Sequence, residues 1–343
     1  MAKTKSKTKS KPAAAKRPAD LVLGDARAKP GSKASGWLRL GDLPDGQPLA
    51  IPVHLVNGAK PGPCLWVQAC IHGDEYCGAF TVNALVERLD PKALAGRVIA
   101  LPALNITAFQ AGRRTSPFEM HGTGDLNRCF PGNAEGTITE QMGHGIFTAL
   151  KAHADYLIDY HTGGVKETRW TLYADLPGKV GEAGAGLARA YGFKVVLPTP
   201  PTTLGASAFI NAAKQGIPSL IVESGGFGPA FDSHLVEDGA ERLCNVARHL
   251  GMLAGKVKDF GRQTFISDFA WINGTTGGLF RPTVKGGERI AKGQVIGRFT
   301  DLYGALIEEA KAPAAGIVLT THPGPMMATG DTLIQIGLNP KEV

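Results

Sequence analysis

Residues 64–91 read CLWVQACIHGDEYCGAFTVNALVERLDP. The run 64–69 is apolar and of strand length. The stretch 78–89 spaces its apolar residues at helical intervals, and Pro91 ends that helix. Between them lies Ile71-His72-Gly73-Asp74-Glu75, a strand-to-helix turn carrying a His and a Glu three positions apart. In open α/β sheets, ligands bind beyond the carboxyl ends of strands. His72 and Glu75 can therefore reach one cation together. Zinc takes neutral imidazole and carboxylate ligands at about 2.0–2.2 Å.

Working outward, the same alternation recurs. Short apolar runs at 51–56, 98–104, 156–160 and 219–222 read as strands. Residues 139–154, 182–191 and 236–253 read as helices. This order predicts an α/β domain with a largely parallel sheet covered on both faces. After about residue 260 the helical spacing stops. Glycine-punctuated short strands follow in two similar halves, GGLFRPTVKGGERIAKGQVIGRF and EAKAPAAGIVLTTHPGPMMATGDTLIQIG, which predicts a small all-β domain. The expected division is a basic disordered tail at 1–35, a zinc hydrolase domain at 36–260 and a C-terminal β domain at 261–343. A chain of 343 residues suits two such units better than one core.

The charge is unevenly placed. Residues 1–33 carry ten Lys/Arg against two Asp/Glu, so +8 lies there and the rest of the chain sits at −1, within a net +7. The basic pI belongs to the tail, which reads as a solvated extension and not as a nucleic-acid arm. The start of the chain has no apolar run suited to a secretory signal. No stretch approaches the ~20 apolar residues of a membrane helix. Cys64, Cys70, Cys77, Cys129 and Cys244 are odd in number and form no CxxC, which suits reduced thiols in a cytoplasmic protein.

Three further motifs bear chemistry. Asp159-Tyr160-His161-Thr162-Gly163 places a second His at the end of an apolar strand, where it can meet the cation of His72 and Glu75. Two His and one Glu leave a coordination position open for water, as in catalytic zinc sites. Asp125-Leu126-Asn127-Arg128-Cys129-Phe130-Pro131-Gly132, with Gly112-Arg113-Arg114 upstream, offers cations and an Asn able to bind a carboxylate and polarise a carbonyl. Pro218–Gly226 (PSLIVESGG) ends a strand on Glu223 before glycines, exposing a carboxylate to serve as general base. Asp125 is read as orienting its loop, and Asp159 as either a partner of His161 or a turn residue. Arg169 could reach the acyl side of a substrate. Cys129 is read as packing, and the remaining histidines, including His121 and His322, as surface or structural residues.

HGDE, GRR, DLNRCFPG, DYHTG and VESGG occur in the order found in the succinylglutamate desuccinylase/aspartoacylase family, which is related to the zinc carboxypeptidases. The chain resembles that family over roughly residues 50–340. The resemblance implies a carboxypeptidase-like α/β/α sandwich with a mixed sheet, plus a small C-terminal all-β domain. It implies one Zn2+ per chain on His72, Glu75 and His161. Glu223 would act as general base and then as general acid toward the leaving amine. Arg114 would stabilise the carbonyl oxygen, while Asn127 and Arg128 would hold a substrate carboxylate. The doubled Arg113-Arg114 leaves open which of the two faces the substrate. The implied activity is that of an amidohydrolase (deacylase) acting on a small N-acyl amino acid, with a homo-oligomer expected and no membrane partner. A metallocarboxypeptidase or peptide amidase is the nearest alternative, and a non-catalytic ligand-binding protein is an alternative of another class. The C-terminal domain also resembles biotinyl- and lipoyl-type folds. Its Glu309–Pro313 segment lacks their Met-Lys-Met arrangement, so it reads as a structural or pocket-rimming module.

Overall fold

A computed structural model describes residues 19–163, 165, 167–226, 232–322 and 324–343. Its centre is a ten-stranded sheet. The strand order is Lys341–Glu342, Thr264–Phe265, Val195–Thr199, Trp170–Ala174, Ser219–Glu223, Tyr156–His161, Lys60–Ala69, Ala95–Leu101, Pro48–Asn57, Ser32–Asp42. The three middle strands, Ser219–Glu223, Tyr156–His161 and Lys60–Ala69, run parallel. Trp170–Ala174 lies antiparallel against Ser219–Glu223, and Pro48–Asn57 antiparallel against Ala95–Leu101. The sheet is therefore mixed. Apolar runs mark strands buried on both faces but carry no information on direction, which is why the pattern alone suggested a mostly parallel sheet.

The alternation of side chains divides the core in two. Trp66, Leu157 and Ile221 point to one face and pack with Ile146, Phe147 and Phe209. Their neighbours Leu65, Val67, Ile158 and Val222 point to the other face and meet Val82, Leu85, Leu187 and Leu243. Helices Ile138–His153 and Ala208–Lys214 thus cover the first face, and Tyr76–Arg88, Lys179–Tyr191 and Ser233–His249 the second. Each fully buried aliphatic side chain contributes roughly 1.5–3 kcal/mol. One polar side chain inside this layer is accounted for: Gln68 accepts a hydrogen bond at 2.9 Å from the indole of Trp66, two residues earlier on the same face.

The C-terminal strands form two four-stranded sheets around their own core of Ile272, Phe280, Ile296, Phe299, Val318 and Ile334. Strands of the two similar halves interleave. One sheet combines Asp268–Asn273 and Arg289–Ile290 with Gly316–Thr321 and Thr332–Leu338. The other combines Gly278–Pro282 and Val295–Thr300 with Leu306–Lys311 and Met326–Met327. The chain then returns to the large sheet, where Lys341–Glu342 pairs with Thr264–Phe265.

The tail boundary is corrected. Most of the basic run, residues 1–18, lies outside the described residues. Leu21–Leu23 and Ala26–Ala28 form a hairpin, and Ser32–Asp42 is the edge strand of the large sheet. Ordered structure therefore begins well before Gly36, because Leu21, Leu23, Ala26 and Ala28 bury themselves in the main core. Among the described residues no helix is long and apolar enough to cross a membrane.

Candidate metal centre and active site

The parallel register brings the motifs together. Glu223 and His161 are paired across adjacent strands, and Tyr160 is paired with Ala69. All three strands thus end at one edge, and the His72–Glu75 turn begins three residues beyond Ala69. Gly73 is required in that turn. A Cβ there would sit 2.0 Å from the backbone carbon of Ala108. Glu75 immediately precedes the helix Tyr76–Arg88, at the positive end of its dipole.

His72 Nδ1 lies 2.8 Å from Glu75 Oε1, and His161 Nδ1 lies 3.2 Å from Glu75 Oε2. The two Nδ1 atoms are 3.2 Å apart. A tetrahedron of ligands 2.0–2.1 Å from zinc has edges of about 3.3 Å. The three donors therefore have the spacing and the chemistry that fit such an ion, and all three residues are buried. The opposite ring nitrogens face carboxylates: His72 Nε2 is 3.4 Å from Asp125 Oδ1, and His161 Nε2 is 3.6 Å from Asp159 Oδ1. Metal-binding histidines characteristically have such partners. The Thr162 backbone N–H donates to Glu75 Oε2 at 3.1 Å and holds that carboxylate in place.

The electrostatics favour a cation. Burial opposes charge on Glu75, but the adjacent imidazoles more than offset it and hold its carboxyl well below the usual range. Burial would lower His161, yet Glu75 and Asp159 raise it well above the ordinary value. The carboxylates of Glu75 and Asp159 thus favour positive charge at His161. Glu223 stands beside this group. Burial pushes its carboxyl up to about 7, with His161 opposing and Glu75 adding to the rise. A carboxyl near neutrality can both accept and return a proton. The turn after it is anchored: the Ser224 N–H donates to the His161 carbonyl at 3.0 Å, and the Tyr160 hydroxyl donates to Ser224 Oγ at 3.0 Å.

The Asp125–Gly132 loop is pinned by buried Leu126 and Phe130, which leaves Asn127 and Arg128 on the cavity wall. Asp125 accepts the Asn127 N–H at 3.0 Å and receives Arg114 through Nε at 3.2 Å and Nη2 at 2.9 Å. It therefore orients the loop, as expected, and also bridges Arg114 to His72. Burial is overcome there by His72 and Arg114, which hold the Asp125 carboxyl far below its usual value. Arg114 is about half exposed and lines the cavity, with Asn127, Arg128, His72, Glu75, His161 and Glu223. Arg113 is exposed on the adjacent surface and is not among the lining residues.

The cavity has a volume of about 460 Å³. Its far wall comes from the C-terminal domain through Phe269, Trp271, His322 and Gln335. Sequence reading missed these residues. The aromatic pair Phe269 and Trp271, on alternate positions of one strand, was the available signal. His322, read as a surface histidine, is exposed but borders the cavity. Arg169 is corrected: it pairs with Asp238 at 3.3 Å and lines a separate cleft with Phe193 and Arg242. Burial pushes the Cys129 thiol up to about 11, which suits a packing residue.

Residues 61–250 match the family model of the succinylglutamate desuccinylase/aspartoacylase catalytic domain. The chain is 30% identical over 297 residues to the N-alpha-acetyl-L-2,4-diaminobutyric acid deacetylase of Halomonas elongata, covering 83% of this chain and 85% of that protein. Among solved structures, it resembles a succinylglutamate desuccinylase/aspartoacylase from Rhodobacter sphaeroides at a TM-score of 0.78 and 26% identity, over 91% of this chain and 95% of that one. It also resembles the product-bound ectoine utilization protein EutE (DoeB) of Ruegeria pomeroyi at a TM-score of 0.75 and 26% identity, over 90% and 95%. With the match to the catalytic-domain model spanning more than half its length, the chain belongs to the succinylglutamate desuccinylase/aspartoacylase family.

Proposed function

We propose that this protein is a zinc-dependent deacylase that hydrolyses the amide bond of a small N-acyl amino acid or a related carboxylate-bearing amide. The observation that carries the reading is the convergence of His72, Glu75 and His161, at zinc-ligand spacing, with Glu223 at the next strand end. The deacetylase relative from Halomonas elongata supports the reaction class.

His72, Glu75 and His161 would hold the ion, with Asp125 and Asp159 orienting the two imidazoles. Zinc bound there would supply a Lewis acid and lower the pKa of water toward ~7. Glu223 takes a proton from the water that attacks the carbonyl carbon. As the C–O bond forms and the C–N bond breaks, it returns that proton to the amine nitrogen. Arg114 offers a fixed cation to the developing negative charge on the carbonyl oxygen. The Arg128 guanidinium and the Asn127 side chain receive the substrate carboxylate, which sets the amide against the metal centre. Arg113, on the adjacent surface, would add to the positive field at the entrance. A peptide-cleaving alternative needs a long open cleft, whereas here the C-terminal domain closes the far side.

The test is Glu223→Gln. It keeps the shape of the side chain and removes the base. Amine release is expected to fall by about 10²–10⁴-fold, with one zinc per chain retained by metal analysis. Near-normal turnover in that variant would end the general-base assignment.

A further inference from the structure

Beside the metal centre, starting at Trp170 as the cross-strand partner of Glu223, one flank of the cavity carries a band of apolar side chains among Thr320, Thr321, His322, Thr332 and Gln335. Trp170 and Leu172 from one strand, Ile221 from the next, Leu204 from a loop, and Phe269 and Trp271 from the C-terminal domain belong to it. The aromatic rings form a continuous row: Trp170 meets Phe269 edge-on at 6.1 Å, and Phe269 meets Trp271 edge-on at 5.9 Å. The row runs from the buried floor to the rim, because Trp170 is 4% exposed and Trp271 is 56% exposed. What sets Trp271 apart from other exposed hydrophobics such as Trp37 and Tyr303 is that it lines this cavity and continues a buried aromatic row.

The charges point the same way. Among the described residues, the carboxylates lining this cavity are Glu75 and Glu223, both already committed to the metal centre. Asp125 nearby is engaged by Arg114 and the Asn127 amide. Residues 1–18, 164, 166, 227–231 and 323 contain no Asp or Glu in the sequence. The other charged lining groups, Arg114 and Arg128, are cations. An ammonium group on a substrate would find no uncommitted carboxylate among the described lining residues. Burying an unpaired charge is costly. The aromatic rings do not offer an aromatic cage either, since they meet edge-on in a row and share the wall with Leu172, Leu204 and Ile221.

We propose that this chain selects N-acyl amino acids bearing an apolar, preferably aromatic, group beside the amide, and rejects those with a cationic side chain such as diaminobutyrate. The group sits against the row Trp170–Phe269–Trp271. The inference rests on the proposed deacylase reading and narrows it. It sets this chain apart in substrate from the diaminobutyrate deacetylase it resembles.

The experiment is amine release by the full chain with zinc, using two series. One series fixes the acetyl group and varies the amino acid: phenylalanine, leucine, alanine, aspartate and 2,4-diaminobutyrate. The other fixes glutamate and varies the acyl group: benzoyl, hexanoyl, acetyl and succinyl. An apolar member of either series is expected to exceed N-acetyl-diaminobutyrate in kcat/KM by at least about 100-fold. Trp271→Ala, at a position 56% exposed, is expected to lower kcat/KM for that substrate by about 10-fold or more. N-acetylalanine should change by less than about 3-fold, with an unchanged melting temperature. Preference for diaminobutyrate, aspartate or the succinyl compound overturns this inference and leaves the deacylase reading standing. An equal loss on N-acetylalanine and the apolar substrate in Trp271→Ala also overturns it. No amine release from any member removes the deacylase reading, and the inference with it.

Discussion

The two walls of the cavity are built in opposite ways. The metal wall comes from the carboxyl ends of three adjacent strands, and three of its polar side chains, His72, Glu75 and His161, have a second polar group beside them. Glu75 is held by the Thr162 amide, and His72 and His161 are backed by Asp125 and Asp159. The other wall adjoins the first at Trp170, the strand partner of Glu223, and is an aromatic row contributed by two domains, with its outer ring open to solvent. The first wall is preorganised for chemistry, and the second offers shape and apolar surface. Changes to the first should act on turnover and metal content, and changes to the second on the choice of substrate.

The largest expected effect is at the ligands. His161→Ala should abolish zinc retention and bring amine release to background, a loss of at least about 10³-fold. One zinc per chain in the purified variant would contradict the assignment. Next is the backing of the ligands. Asp159→Asn should weaken zinc binding about 10–100-fold, read by chelator competition, with the fold intact by circular dichroism. If affinity is unchanged, Asp159 is only a buried carboxylate and the contrast between the walls softens. Gly73→Ala tests the geometry of the turn. Its Cβ would meet the backbone at Ala108, so a drop in melting temperature of at least about 4 °C is expected together with lost zinc.

The smallest effect lies outside both walls. Burial would raise the Glu119 carboxyl, but hydrogen bonds from the amides of His121, Gly122 and Thr139 hold it at about 2. A carboxyl depressed in the folded state stabilises above its unfolded pKa of 4.5, and that stability is lost as pH falls toward 2. Glu119→Gln should therefore melt slightly below the parent at pH 7, with the gap closing as pH drops below 4.5. A gap that stays constant with pH would assign the effect to packing.

The contrast also explains what was legible in the sequence. The metal wall is written in contiguous motifs, because a strand end followed by a turn places neighbours in sequence at one point in space. His72, Glu75, His161 and Glu223, which meet at one sheet edge, could be picked out that way as candidates, and the family resemblance implied roles for Arg114, Asn127 and Arg128. The aromatic wall joins Trp170 to Trp271 across a hundred residues, and no local pattern reports that meeting. Arg169 shows the limit at single-residue scale. It is next to Trp170 in the chain, but alternation along the strand turns it away toward Asp238 and Phe193. The early strands were missed for a related reason. Ser32–Asp42 is an edge strand whose larger apolar residues, Trp37, Leu38 and Leu40, sit in a run otherwise small or charged, with half-buried positions alternating with exposed ones, so its apolar signal is weak. The direction of Trp170–Ala174, antiparallel to its neighbour, is set by tertiary pairing and leaves no trace in a wholly buried run.

The return of the chain at Lys341–Glu342 to Thr264–Phe265 has a mechanical consequence. The small domain leaves the large sheet on one strand and comes back beside it, so it is attached like a bracket with two screws. A single connection would let it swing as a door; two close together at the sheet edge oppose that rotation. Transplanting this module to retune such an enzyme would have to carry both joints.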